Sequence, residues 1–563
     1  MGTIRTVYKV ATPAGAGSAS SSWRTWVGRQ DRWDLVSKGL IVLLAILILF
    51  TFVDYGITWD EPVQHYYGRM IVRYYFVLLH GHYDTNAVNF AETNLYGGLF
   101  DTIAAMSAAV SPLGDYETRH LLNALVGLLG IVGCWKVARL IGGPRAGFWA
   151  VVLIALTPRY YGEMFNNPKD IPFAAGYIWS LYFLLRAMGY LPRVPRDLVI
   201  KLGIAIGMTL GVRVGGLLLL AYLFMVVGMY ALIAARSRAA FAGLTRFMLG
   251  STAIAWAIML IFWPWAQVRP FTRPFEALSH FTHFPWYGSV LFDGRIMKAT
   301  QEPRTYILRW LSITLPEIIL LLTAVGLVYG IVMLFRKRTY ISATSCYYGL
   351  LSFAVLFPLM YAVATKAVLY DADRHFLYVV PPLVCLAALN LSRVNEWLRH
   401  GHPVWANGAI VVLGAYLLSL ATVMVRLHPD EYVYFNQTIG GLPGAYRKFD
   451  TDYWGNSYRE AVKALDAHLK QTEGGAGSYK VMAVSKRESS NYYFPPNLTF
   501  TKKPEEADFI IATTRDRLNE MLDGNVILTI DRFGVPLAFV KDRRQLKGVP
   551  VPGWPPLLMT QEP

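Results

Sequence analysis

Long apolar runs recur from Leu40 almost to Leu427, far more than a soluble chain of this length can bury in its cores. In a bilayer such runs become helices, because a helix satisfies its own backbone hydrogen bonds where no water can. Composition agrees. Of 563 residues, 54% are hydrophobic and 16% charged, too apolar for an ordinary soluble protein. Runs long enough to cross a hydrocarbon core of roughly 30 Å fall near 38–53, 121–141, 144–158, 172–188, 200–212, 214–235, 246–264, 310–335, 344–364, 376–392 and 404–425. The expected architecture is an α-helical polytopic membrane protein of about eleven spans. The pair flanking Arg213 reads as a tight hairpin. Gly211, Gly215 and Gly216 surround a charge that is tolerated near an interface and costly at mid-membrane.

Basic residues in short loops set the expected orientation. Arg24, Arg29, Arg32 and Lys38 precede the first span, and Lys136, Arg139 and Arg145 separate the second from the third. Alternate loops continue the pattern with Arg186, Arg193, Arg196 and Lys201, then Arg236, Arg238 and Arg246, then Arg336, Lys337 and Arg338. This places the N-terminus in the cytoplasm and, for an odd count, the C-terminus outside. The net charge of +16 is thereby accounted for by topology, and nucleic acid is not needed as a partner.

Three regions follow: a disordered cytosolic tail over 1–37, rich in Ala, Gly and Ser, a membrane domain over 38–426, and a small C-terminal α/β domain over 427–563. The last alternates a polar helical segment (457–471) with short apolar runs near 480–484, 507–512 and 526–530. Gly474, Gly475 and Gly477 read as a linker, since no strand-to-helix glycine fingerprint accompanies them. Cys134, Cys346 and Cys385 all fall in spans, where core packing is the expected role and no exported disulfide is on offer.

Polar residues that a bilayer makes expensive carry the functional signal. Thr58, Trp59, Asp60, Glu61 and Pro62 follow the first span and open a segment with His65, Tyr66, Tyr67, Tyr74, Tyr75 and Phe76 that suits an interfacial helix. An N-cap at Asp60 in a solvated loop is an equally good reading. The next such loop holds Arg159, Tyr160, Tyr161, Gly162 and Glu163, then Asn166, Asn167, Pro168, Lys169 and Asp170, where Asp170 suits a helix start before Pro172. A third set comprises Arg213 with Asp371, Asp373, Arg374 and His375. Arginines at an interface fork onto phosphate oxygens, which points to a lipid phosphate. A snorkelling anchor or an ion pair with Asp371 equally describes Arg374.

Taken together, Thr58-Trp59-Asp60-Glu61-Pro62, Asn167-Pro168-Lys169-Asp170, and Arg374 followed by Pro381 and Pro382 resemble the GT-C glycosyltransferases. The likeness is to bacterial family-39-like enzymes, similar to protein O-mannosyltransferases and the lipid A aminoarabinose transferase, and it covers roughly 38–426. The stretches His428-Pro429-Asp430-Glu431-Tyr432 and Asp452-Tyr453-Trp454-Gly455 also resemble a segment after the last span in some bacterial members. The resemblance implies inverting transfer of a sugar from a polyprenyl-phosphate donor, undecaprenyl phosphate in bacteria, to a lipid, glycan or protein acceptor at the periplasmic face of the inner membrane. It implies Asp60 as base, Glu61 as orienting carboxylate, Asp170 at the second acidic position, and Lys169, Arg213 and Arg374 as contacts to the donor phosphate. His65, Tyr160 and His375 are accessory candidates. A divalent metal ion is a possible cofactor on the same ground, held in some members at the second acidic position. Two other classes stay open: a secondary transporter, against which speak the loop position of the acidic motifs and the lack of an internal repeat, and a non-catalytic scaffold of an envelope assembly.

Overall fold

The computed structural model describes residues 31–551, except 92, 283, 285, 287, 337–342, 476 and 485–486. The tail over 1–30 with Arg24 and Arg29, the loop cations Lys337 and Arg338, and the side chain of Arg336 lie outside the described residues.

Each expected span is helical, except that 310–335 is broken at Leu315 and Pro316 into parts of two helices. Helix α1 (Arg32–Thr51) leads to α2 (Glu61–Leu79) and α3 (Leu99–Ala108), then to α4 (Asp115–Ala155), α5 (Pro158–Asn166), α6 (Asp170–Met188) and α7 (Arg196–Leu210). There follow α8 (Leu217–Ile233), α9 (Arg238–Ile261), α10 (Tyr306–Thr314), α11 (Glu317–Arg336), α12 (Ala343–Thr365), α13 (Val380–Gly401) and α14 (Pro403–Leu427). The molecule is a multi-spanning membrane protein, and among the described residues eight helices are long and apolar enough to cross a bilayer. Segment α4 holds the two expected spans as separate helical legs, 115–142 and 144–155, because Gly143 leaves helical geometry (φ 80°, ψ −176°) just before Pro144. Helix α7, with 15 residues, is shorter than a full crossing, whereas α11, with 20 residues, is long enough to be one.

Burial separates centre from rim. About the apolar window of α13, 78% is buried, against 17% for α1 and 22% for α14. Helices α4, α6 and α13 therefore form the core, while α1 and α14 present Leu43, Phe50, Val411 and Leu418 outward. Small residues let the core helices approach: a Cβ on Gly127 would meet Met164, and one on Gly133 would meet Ile178. Cys134 and Cys385 are buried in this contact, whereas Cys346 is exposed on α12 and does not have the packing role expected of it.

The rim helix α1 is pinned by a charge pair. Arg139 of α4 donates two hydrogen bonds to Asp34, at 2.6 and 2.7 Å. Asp31 caps α1 by accepting from the Trp33 amide.

After α14 the chain does not leave the membrane domain at once. Tyr432, Val433, Phe435, Phe449, Tyr453 and Trp454 belong to the same apolar core as the spans. A hairpin of β1 (Ser289–Phe292) and β2 (Arg295–Lys298) packs on this segment, with the Gly294 amide donating to the Lys448 carbonyl. A separate core begins at Tyr458. Helix α15 (Tyr458–Glu473) packs on a five-stranded sheet ordered β4 (Leu498–Phe500), β3 (Tyr479–Ala483), β5 (Phe509–Thr513), β7 (Val535–Asp542), β6 (Asn525–Arg532). β3 runs parallel to β4 and β5, while β7 is antiparallel to β5 and β6. Gly474, expected in a linker, instead ends α15 in the left-handed conformation (φ 67°), its amide donating to the Leu469 carbonyl.

Removing one partner of the pinning pair leaves a charge with lost hydrogen bonds. Arg139→Ala should cost about 2 kcal/mol of stability, and Asp34→Ala in the same chain should add little more. Thermal unfolding in detergent of the two single variants and the double variant checks this non-additivity.

Candidate active site

The carboxylates expected from the sequence meet at one end of the helix bundle. Asp60 precedes α2 with φ −79° and ψ −28°, and its side chain makes no capping hydrogen bond. The carboxylate accepts instead from Arg374, 314 residues away, at 2.6 Å. The capping reading of Asp60 therefore does not describe it. Neighbouring Glu61 points elsewhere, as consecutive residues at a helix start must. It is buried, accepts from the Thr58 amide at 2.8 Å and pairs with His120 at 3.0 Å. Thr58 in turn donates to the Asn166 carbonyl, which ties this loop to α5.

Arg374 lies 5% exposed between two carboxylates, Asp60 and Asp371, the latter at 2.8 Å. Its guanidinium also lies over the rings of Trp454 and Tyr370, 5.0 and 5.2 Å from their centroids. An ion pair with Asp371 was one of the two plain readings of this arginine, and the pairing to Asp60 is added to it. His375 sits edge-on to Tyr370 at 4.6 Å.

Asp170 opens α6 and is 2% exposed on its side chain. Its amide donates to Asn167, whose own amide group donates to Asp170 at 3.0 Å and to Glu163 at 2.7 Å. The Asp170 carboxylate pairs with Arg213, which stands at the bend between α7 and α8. Backbone contact sets this bend: the Leu99 amide donates to the Gly211 carbonyl, and a Cβ on Gly97 would collide with Gly211. The close approach brings Tyr96 beneath two cations, the Lys169 ammonium at 4.4 Å and the Arg213 guanidinium at 5.7 Å from its ring centroid. Among the described residues no carboxylate lies in ion-pair range of Lys169, and the Nε–H groups of Arg213 and Arg374 are buried without an acceptor.

These cations act together on Asp60. Burial opposes its charge, but Arg374, Lys169 and Arg213 outweigh burial and hold the carboxyl well below the usual range. Glu163 behaves oppositely, pushed up to about 8 by burial and then by Asp373 and Asp170. Asp373 pairs with Arg159 at 2.9 Å, both fully buried, and so braces the segment that carries Arg374.

Asp60, Lys169, Asp170, Arg213, Arg374 and His375 thus come together, whereas three candidates stand apart. Glu61 serves its own turn. His65 pairs with Asp115 at 3.3 Å against the ring of Tyr116. Tyr160 is wholly buried and donates to the Gly127 carbonyl inside the helical core. Sequence reasoning missed Tyr96, His120 and Arg515, the last reaching Asp371 at 2.9 Å from the C-terminal domain. His120 and Tyr96 lack any motif, and only the fold links Arg515 to the site. For a divalent ion the donor set fits poorly: Asp60 and Asp170 are already committed to arginines. Among the described residues no group of three His, Cys, Asp or Glu side chains is placed to hold one.

Residues 102–265 match the family model of dolichyl-phosphate-mannose-protein mannosyltransferases. This match covers less than half of the chain and agrees with the GT-C resemblance read from the motifs. The matched segment holds Glu163, Lys169, Asp170 and Arg213 and stops short of Asp60 and Arg374 on either side. In structure the chain is similar to ArnT from Cupriavidus metallidurans in the apo state, with 14% identity, a TM-score of 0.47, and 93% of this chain and 98% of that chain covered. For ArnT bound to undecaprenyl phosphate the figures are 14%, 0.46, 90% and 98%. The archaeal oligosaccharyltransferase AglB from Archaeoglobus fulgidus, in complex with an inhibitory peptide and a dolichol-phosphate, gives 12%, 0.46, 85% and 69%. No curated protein matches the sequence.

Glu163 offers a pH test. Its carboxyl titrates near 8 when folded, against an ordinary value of 4.5, so the folded state holds the extra proton. The associated stability is complete below the ordinary value and is lost as pH rises through about 8. Glu163→Gln keeps the neutral shape and removes this loss. Thermal unfolding should find the variant equal to wild type at about pH 4 and more stable at about pH 9.

Proposed function

We propose that the protein is an inverting glycosyltransferase that moves a sugar from a polyprenyl-phosphate-linked donor to an envelope acceptor. The observation that carries this reading is the convergence of Lys169, Arg213 and Arg374 on the Asp60 carboxylate, where, among the described residues, Lys169 has no carboxylate partner and two arginine Nε–H groups have no acceptor. Unmet cationic donors suit phosphate oxygens better than a neutral solute. The family match over 102–265 supports the same class.

In this mechanism the donor phosphate docks against Lys169, Arg213 and Arg374. As the bond from the anomeric carbon to the phosphate oxygen breaks, its electron pair stays on the phosphate, where the three cations stabilise it. The acceptor hydroxyl attacks from the opposite face, and its proton passes to Asp60. One bond forms where one breaks, and the configuration inverts. A phosphate that takes up part of Arg374 loosens its hold on Asp60, and this raises the basicity of the carboxylate when the donor is in place. Asp170 holds Arg213 in position. A divalent ion has no step in this scheme. The reading places the chain in a bacterial inner membrane with a cytoplasmic N-terminus and a periplasmic C-terminal domain, undecaprenyl phosphate as lipid carrier, and a lipid, glycan or protein as acceptor.

Binding of undecaprenyl phosphate to the protein in nanodiscs tests the class. Saturable binding in wild type should weaken by about tenfold or more in each of Lys169→Ala, Arg213→Ala and Arg374→Ala. Asp60→Asn should bind the lipid and lose roughly a hundredfold or more in turnover. Unchanged affinity in all three cation variants would reject the reading and return the protein to the transporter or scaffold classes.

A further inference from the structure

Arg515 follows β5 in the C-terminal domain, yet its side chain leaves that domain. It is 6% exposed, donates to the Tyr453 carbonyl at 2.6 Å, and lies over the Trp59 ring at 4.8 Å from the centroid. Trp59 is the residue before Asp60. Nη2 of Arg515 reaches Oδ1 of Asp371 at 2.9 Å, while Oδ2 of the same carboxylate takes Nη2 of Arg374 at 2.8 Å. One carboxylate thus stands between an arginine of the membrane domain and an arginine of the C-terminal domain. The backbone there is also constrained: Asp371 and Ala372 hold left-handed conformations at φ 55° and 65°, which side chains other than glycine adopt only under outside restraint.

Resting on the donor-phosphate reading above, we infer that Arg515 is a positioning residue for lipid-phosphate binding, acting through Asp371 to keep Arg374 turned towards Asp60 and the phosphate site. Charge explains how. Arg374 is attracted by two carboxylates at once. Arg515 takes up half of the Asp371 carboxylate, so that Arg374 keeps one guanidinium nitrogen on Asp371 and offers the other to Asp60. Without Arg515 the whole charge of Asp371 falls on Arg374 and draws it away, and the left-handed turn loses its second tie. The C-terminal domain thereby contributes to the site of the membrane domain without touching the donor.

The test is equilibrium binding of undecaprenyl phosphate to the full-length protein in nanodiscs, with thermal unfolding of every variant as the check on folding. Arg515→Ala should weaken binding by about tenfold, the size expected when one member of a shared charge network is removed. Arg515→Lys, which keeps the charge, should recover most of that loss. Arg515→Ala combined with Asp371→Asn should bind more tightly than Arg515→Ala alone, because the unshared charge that draws Arg374 away is gone. A merely structural arginine predicts the reverse, with the double variant at least as weak. Should Arg515→Ala not fold, Arg515→Gln takes its place in both comparisons. Wild-type affinity in a folded Arg515→Ala or Arg515→Gln protein, while Arg374→Ala is weakened, overturns the inference and leaves the donor-phosphate reading standing. Wild-type affinity in Arg374→Ala, Lys169→Ala and Arg213→Ala removes that reading itself.

Discussion

Burying charge costs several kcal/mol per ion unless each ion finds its partner, and the segment from Asp371 to Arg374 concentrates that cost in four residues. Its three charges face three parts of the chain: Asp371 towards Arg515, Asp373 towards Arg159 of α5, and Arg374 towards Asp60 ahead of α2. None of these partners lies within 50 positions of the segment. The pairs can form only if the first loop, the second acidic loop and the C-terminal domain are in place together. A network of this kind defines one arrangement of loops on a scaffold of spans that lipid contacts alone would leave free to rotate.

The spans were legible because hydropathy records burial in lipid residue by residue, and each of the eleven runs is helical, the run over 310–335 being divided at Leu315 and Pro316 into parts of two helices. Their number as full crossings was harder to read. Gly143, outside helical geometry, parts two helices where hydropathy shows two runs, whereas α7 is a 15-residue helix against a bend whose position depends on Gly97 and Gly211 touching. At the site, carboxylates in loops flanking apolar helices gave Asp60 and Asp170, and an arginine beside glycines gave Arg213. Adjacent residues misled: Asp60 and Glu61 share a motif, but the turn that Glu61 closes with Thr58 sends the two side chains apart. Arg515 could not be found from a pattern, since its partner is 144 positions distant in another domain.

The family match describes one side of the site only. Residues 102–265 supply Lys169, Arg213, Asp170 and Glu163, while Asp60, Asp371 and Arg374 come from outside that stretch. A site assembled from three separated stretches distributes its roles: the matched helices hold Lys169 and Arg213 over Tyr96, and the flanking loops bring the carboxylate on which the cations act.

Asn456 gives this assembly an order in time. Its side-chain oxygen accepts from the Gly56 amide at 2.7 Å and from Asn166 at 2.8 Å, and its amide nitrogen donates to the Pro429 carbonyl at 3.1 Å and to Asp430 at 2.6 Å. The loop at Gly56 is translated 400 residues before the side chain that completes it. At roughly 10 residues per second, the ribosome needs about 40 s to cover that gap. Through that interval the first loop is finished as polypeptide and unfinished as structure. The last span and the segment after it must therefore be made before this arrangement of loops exists, so a nascent chain still inserting its helices carries Asp60 without the surroundings it has in the folded protein.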